Sequence, residues 1–135
     1  MAKKRTKAVE ENVNTLIGAA EIEDNPMQDL IDLLTETGIP FAYDHFAQGE
    51  SPAPPFITFL LPATNNYSAD GKAYLKVDVV HIELYTDEKN PAQENRIESV
   101  LDAHEIFYDK TEVWIESEKL YEVLYSFERK VPNGE

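Results

Sequence analysis

The run Tyr74-Leu75-Lys76-Val77-Asp78-Val79-Val80-His81-Ile82-Glu83-Leu84-Tyr85-Thr86 constrains the fold more than any other part of the chain. It contains no Gly or Pro and is rich in β-branched and aromatic side chains, so it reads as one long central strand. Its alternation changes phase midway: Leu75, Val77 and Val79 mark one face, and Val80, Ile82 and Leu84 mark the other. The adjacent pair at the switch implies a β-bulge or a centre buried on both faces. A strand of this length is expected to cover the local core with one half and to meet a neighbouring molecule with the other.

The remaining elements fall around it. Asn25-Pro26-Met27-Gln28 fits an N-cap, a proline at the first helical position and a Gln three residues past the cap. Met27, Leu30, Ile31 and Leu34 supply the apolar stripe of that helix, and Gly38 its C-terminal stop. A short strand is expected around Phe41, and a denser one from Phe56 to Leu61, which Pro62 should end. A polar loop then runs to the turn signal Asp70-Gly71 and leads into the long strand as a wide hairpin. Asn90-Pro91-Ala92-Gln93 repeats the cap pattern, and Ile97, Val100, Leu101 and His104 form the inner stripe of a second helix. Two strands close the chain, over residues 106–116 and 121–129. In the last, Tyr121, Val123, Tyr125 and Phe127 are expected to face inward, with Glu122, Ser126 and Glu128 outward and Leu124 out of pattern. Trp114 and Tyr125 are both expected in the core. This order predicts a two-layer α+β domain over residues 25–131, with two helices packed on a mainly antiparallel or mixed sheet. Residues 1–24 read as an added arm: Lys3, Lys4, Arg5 and Lys7, then Val9, Val13, Leu16, Ile17 and Ala20 at helical spacing. Residues 132–135 read as a flexible tail.

Composition limits the function classes. The formal charge is −14, and beyond residue 25 eight Lys and Arg stand against 21 Asp and Glu. Such a body repels nucleic acid, because phosphate neutralisation needs clustered Lys and Arg. There is no cysteine, hence no disulfide framework and no thiolate ligand. No apolar run reaches the roughly 18 residues of a membrane span, and no secretory signal pattern follows the basic start, so a soluble product is expected.

Chemical motifs are sparse. The five glycines form no G-x-G pattern, and no nucleophile elbow is present. Asp44-His45 is a lone acid-histidine pair. Asp78, His81 and Glu83 lie on one strand, where His81 and Glu83 share a face at a spacing that can bring two metal ligands together. An exposed strand face is the commoner meaning of that pattern. His104 is expected to be a satisfied, partly buried histidine near a helix C-terminus. No enzyme activity and no cofactor is expected.

Several pieces of the chain, taken in order, resemble a family of small neck proteins of siphophages and Gram-positive prophages. They are Gly38-Ile39-Pro40-Phe41-Ala42-Tyr43-Asp44-His45-Phe46, Pro54-Pro55-Phe56-Ile57 and Asn65-Asn66-Tyr67-Ser68-Ala69-Asp70-Gly71, followed by Ile82-Glu83-Leu84-Tyr85-Thr86 and Glu118-Lys119-Leu120-Tyr121-Glu122-Val123. The resemblance spans roughly residues 25–128 and leaves the arm out. It implies a tail terminator, a ring, usually hexameric, that caps the finished tail tube and offers a docking face to the head. The implied partners are further copies of the chain, the major tail tube protein and a head-side connector or head-closure protein. The implied location is the virion tail and neck, after assembly in the host cytoplasm. A ring needs heterologous contacts between identical subunits. The polar loop and the long strand are the expected contact region, through Asn65, Asn66, Tyr67, Asp70, Tyr74, Lys76 and Asp78, joined by Val9, Val13 and Leu16 of the arm. Three other readings compete. One is a head-closure or adaptor protein of the neck, one an acidic DNA mimic that inhibits a DNA-binding protein, and one a small metal-dependent enzyme using Asp78, His81 and Glu83.

Overall fold

The computed structural model describes residues 25–132. The arm expected over residues 1–24, with Val9, Val13 and Leu16, lies outside the described residues, as do residues 133–135. Among the described residues two helices, α1 (Gln28–Thr35) and α2 (Pro91–Ala103), accompany seven strands. These are β1 (Phe41–Tyr43), β2 (Phe56–Thr64), β3 (Tyr67–Ala69), β4 (Lys72–Leu75), β5 (Val77–Thr86), β6 (Asp109–Ile115) and β7 (Leu120–Lys130). Five strands form one sheet in the order β1-β2-β5-β7-β6, and β3 and β4 form a separate two-stranded sheet. The β1–β2 pair is parallel and the other pairs are antiparallel, so the fold is α+β with a mixed sheet.

The apolar run does sit at the centre: β5 pairs with β2 on one side and with β7 along all ten residues on the other. It is not one strand, however. It breaks at Lys76, and residues 72–75 belong to the small sheet. The reason is local hydrogen bonding. Asn66 Oδ1 accepts the Val77 N–H at 2.9 Å, and the Lys76 carbonyl accepts the Val131 N–H at 2.9 Å. The Val77 amide is thereby diverted from the β2 side of the ladder, while the Lys76 carbonyl, one rung beyond the Val77–Lys130 pair, stays with β7. The phase switch at Val79-Val80 puts no bulge into β5. The register shift falls on the partner, between Leu60 and Ala63 of β2, and it lets β2 continue past Pro62 to Thr64.

The core lies between the helices and one sheet face. Cross-strand partners share a face, so the register places Ile57, Phe59, Val80, Ile82, Leu84, Val123, Tyr125 and Phe127 together. All are buried, against Leu30, Ile31 and Leu34 of α1 and Ile97 and Leu101 of α2. Each such side chain contributes about 1.5–3 kcal/mol by leaving water. Tyr125 is fully buried, as its alternation requires, and its hydroxyl donates to Glu98 at 2.8 Å. Leu124 is in phase with its strand and simply places an apolar side chain on the opposite, helix-free face.

Other expectations need correction. Helix α1 starts at Gln28, later than the cap pattern implied. Asn25 Oδ1 accepts the Met27 N–H at 2.9 Å, so Asn25 closes a turn ahead of the helix. The matching motif at α2 does cap, with the Asn90 side chain accepting from Gln93 N. Strand β6 begins only at Asp109, because residues 106–108 are the lead-in from α2. Trp114 is not a core residue. It pairs with Tyr121 on the helix side of the sheet, but the helices do not reach it and it is 40% exposed. His104 is exposed and is satisfied by the Glu36 carboxylate of α1 at 3.1 Å.

Candidate assembly interface

The hairpin β3–β4 carries most of the residues expected to meet a partner. Asp70 and Gly71 take φ values of 55° and 76°, and Ala69 pairs with Lys72. Two central residues with positive φ between paired strands make the type I′ turn that Asp-Gly favours. The loop expected from residue 63 to 71 is therefore the end of β2 and the first half of a hairpin. All three residues of β3 are exposed, and Tyr67 is 53% exposed. Asp70 and Lys76 are exposed too. Tyr74 lies in β4.

Asn65 and Asn66 both secure the root of the hairpin and are exposed. Asn65 donates its backbone N–H to the Val77 carbonyl at 2.9 Å, and its side-chain amide to Glu128 of β7 at 2.6 Å. Asn66 holds the first amide of β5, as described above. The hairpin is thus tied to both β5 and β7 where it leaves the main sheet. Asp78, also expected at the contact, is half-buried in the main sheet. It faces the helix side, where its carboxylate accepts from Arg129 Nη2 at 3.1 Å. Arg129 is buried and also binds Asp29 of α1 and the Pro26 carbonyl.

This geometry disperses the suggested metal triad. Asp78 lies across the sheet from His81 and Glu83, and Glu83 accepts the Thr58 hydroxyl at 2.8 Å and the Tyr85 hydroxyl at 3.3 Å. Among the described residues no cluster of three or more His, Asp or Glu side chains is arranged to hold a metal ion. The Asp44–His45 pair, at 2.9 Å, is exposed, and among the described residues no third side chain orients it.

Two acidic clusters occupy opposite faces of the sheet. On the helix side, Glu94 is buried and binds Lys89 at 2.7 Å and Lys110 at 2.9 Å. Burial alone pushes its carboxyl up, but the two lysines outweigh that and hold it below the ordinary range. On the open side, Tyr85 donates towards both Glu83 and Glu122 at 3.3 Å. Burial, reinforced by the Glu83 charge, raises the Glu122 carboxyl. Burial and the same two carboxylates raise the Tyr85 phenol. Phe56 stacks on Tyr85 at 5.2 Å, and Phe46 meets Phe56 edge-on at 5.5 Å, which keeps water from one side of this cluster.

The sequence reading missed the opposite side of the molecule. Strand β6 is the outermost strand, and six of its seven residues are exposed. It and its lead-in hold three of the four exposed large apolar side chains of the described residues: Phe107, Val113 and Trp114, the fourth being Tyr67. A signal was present in the sequence, since Val113-Trp114-Ile115 is an apolar run with acidic residues on both sides. Nothing in it marked the strand as an edge. No protein-family model matches the chain, and no curated protein matches it.

Proposed function

We propose that the protein is a structural assembly subunit, a tail terminator whose copies close head to tail into a ring that caps a phage tail tube and joins it to the head-side neck. The family resemblance supplies the identity of the assembly. The observation that carries the reading is the anchored hairpin β3–β4, exposed throughout its first strand. An isolated two-stranded hairpin is marginal in water. One that is fixed at its root and bare at its tip is suited to a neighbouring protein. A strongly acidic body also suits a passage that DNA traverses without adhering. The partners are further copies of the chain, the tail tube protein and a head-side neck protein. Neither nucleic acid nor membrane is a partner, and the work is done in the virion, after assembly in the host cytoplasm.

The test is the mass of the purified chain in solution, alone and with tail tube protein added. The expected result is a ring, six copies by the resemblance, in at least one condition. A strict monomer in both, without tube binding, would remove the terminator reading. Binding to a portal or adaptor in place of the tube would make the protein a head-closure component. Tight binding to a basic nuclease or repressor would make it a DNA mimic.

A further inference from the structure

We infer that the free edge of β6 is the acceptor for the β3–β4 hairpin of a second copy of this chain, which adds to it as neighbouring strands. The inference rests on the ring reading and assigns its two contact surfaces. Long exposed edges with apolar side chains are sites of strand addition unless charge or a covering element blunts them. The two edges of the main sheet differ in this respect. Strand β1 has three residues, and Phe41 and Ala42 are buried. Strand β6 is longer and bare, and its charged pair Lys110 and Glu112 is turned to the helix side, held by Glu94 and Lys89. Val113 is left on the open side beside Thr111 and Asp109.

Charge selects the occupant. The hairpin, residues 65–76, carries Lys72 and Lys76 against Asp70, so it is a basic finger on an acidic body. Among the described residues no carboxylate pairs with either lysine. Residues 105–118, around β6, hold five carboxylates and one lysine. Of these, Glu105, Asp109 and Glu118 have no basic partner among the described residues. Opposite charges therefore sit on the two surfaces, with exposed Tyr67 on one and exposed Val113 and Trp114 on the other. A chain cannot satisfy itself this way. Its hairpin springs from β2 and β5, and β7 stands between β5 and the strand whose free edge faces outward. Donor and acceptor are different surfaces of one molecule, and a contact of this kind repeats from copy to copy until it closes.

The test uses two full-length variants and their mixture, with and without tail tube protein. Lys72→Ser with Lys76→Ser spoils the donor and leaves no acidic hairpin to pair with a lysine-substituted edge. Asp109→Lys with Val113→Lys spoils the acceptor. All four positions lie outside the core, and equal melting temperatures check that the fold is intact. Each variant alone is expected to weaken self-association by about tenfold or more. The one-to-one mixture is expected to form dimers and nothing larger, because only one intact donor and one intact acceptor remain to meet. Assembly by either variant alone, or a mixture that stays monomeric, overturns the assignment. If the unmodified chain forms rings while the mixture fails, the contact surfaces are wrong and the ring stands. If the unmodified chain never associates, docking on a second copy is wrong, and tube binding then decides the ring reading separately.

Discussion

The two faces of the main sheet treat negative charge in opposite ways. On the helix side, Glu94 is buried between Lys89 and Lys110, and Asp78 and Asp29 share Arg129. On the open side, Glu83 and Glu122 share a tyrosine hydroxyl and no cation. The first arrangement offsets the cost of removing charge from water by pairing. The second leaves like charges on diagonal cross-strand positions, which opposes folding mildly. An acidic surface is thus compensated where the monomer needs it, and left uncompensated where nothing within the described chain covers it.

The largest test of this contrast is at its packed side. Tyr125→Ala should destabilise the domain by about 3–5 kcal/mol, read from denaturant unfolding. A loss under about 1 kcal/mol would mean that the helices do not cover the sheet as described. Arg129→Ala should cost about 2–4 kcal/mol, since it leaves Asp78 near Asp29 without a cation. Restoration by Asp78→Asn in the same chain would show that the loss is electrostatic. Glu94→Gln should cost about 1–2 kcal/mol at neutral pH. The Glu94 carboxyl is held low in the folded state, so its contribution is present above the unfolded value of about 4.3 and disappears as pH falls through the folded value. The difference between the two proteins should therefore vanish in acid.

On the edge beyond the helices, Trp114→Ala should cost at most about 1 kcal/mol, the scale of its contact with Tyr121. Its effect should appear in association instead. Glu122→Gln should have the smallest effect and the opposite sign, stabilising by under about 1 kcal/mol at neutral pH. The Glu122 carboxyl is raised in the folded state, so wild-type stability from this group is complete below about pH 4.3 and is lost as pH rises through the folded value. Unfolding measured across pH 4–7 should show the Gln variant gaining on wild type as pH rises. Equal slopes would mean that folding places no net penalty on the Glu122 charge.

The sheet-forming strands were readable because period-two alternation is imposed by a half-buried face, as in Val123, Tyr125 and Phe127. The hairpin was half-readable: Asp70-Gly71 announced a turn, but β3 has too few residues to show a period. The break at Lys76 was hidden, since it depends on a side-chain amide oxygen eleven residues away that takes the first amide of β5. The Asp78 ion pair was hidden for the same reason, its partner Arg129 lying 51 residues further on. Trp114 failed because alternation reports which face a residue occupies and not how far the opposing helices extend. The charge contrast between the two faces was illegible, since an Asp- and Glu-rich sequence names the acids without naming their partners.

The clamp at Lys76 has a geometric consequence. Because Asn65, Asn66 and Val131 fix how the hairpin leaves the sheet, they also fix its inclination to the strand edge on the far side of the same molecule. In the ring proposed above, that inclination would be repeated at every step, so a tilt of a few degrees at the root would accumulate from copy to copy. Two asparagine side chains would then act as the protractor of the assembly. Loosening either would change how many copies close, or turn a circle into an open spiral, before it changed whether neighbours bind.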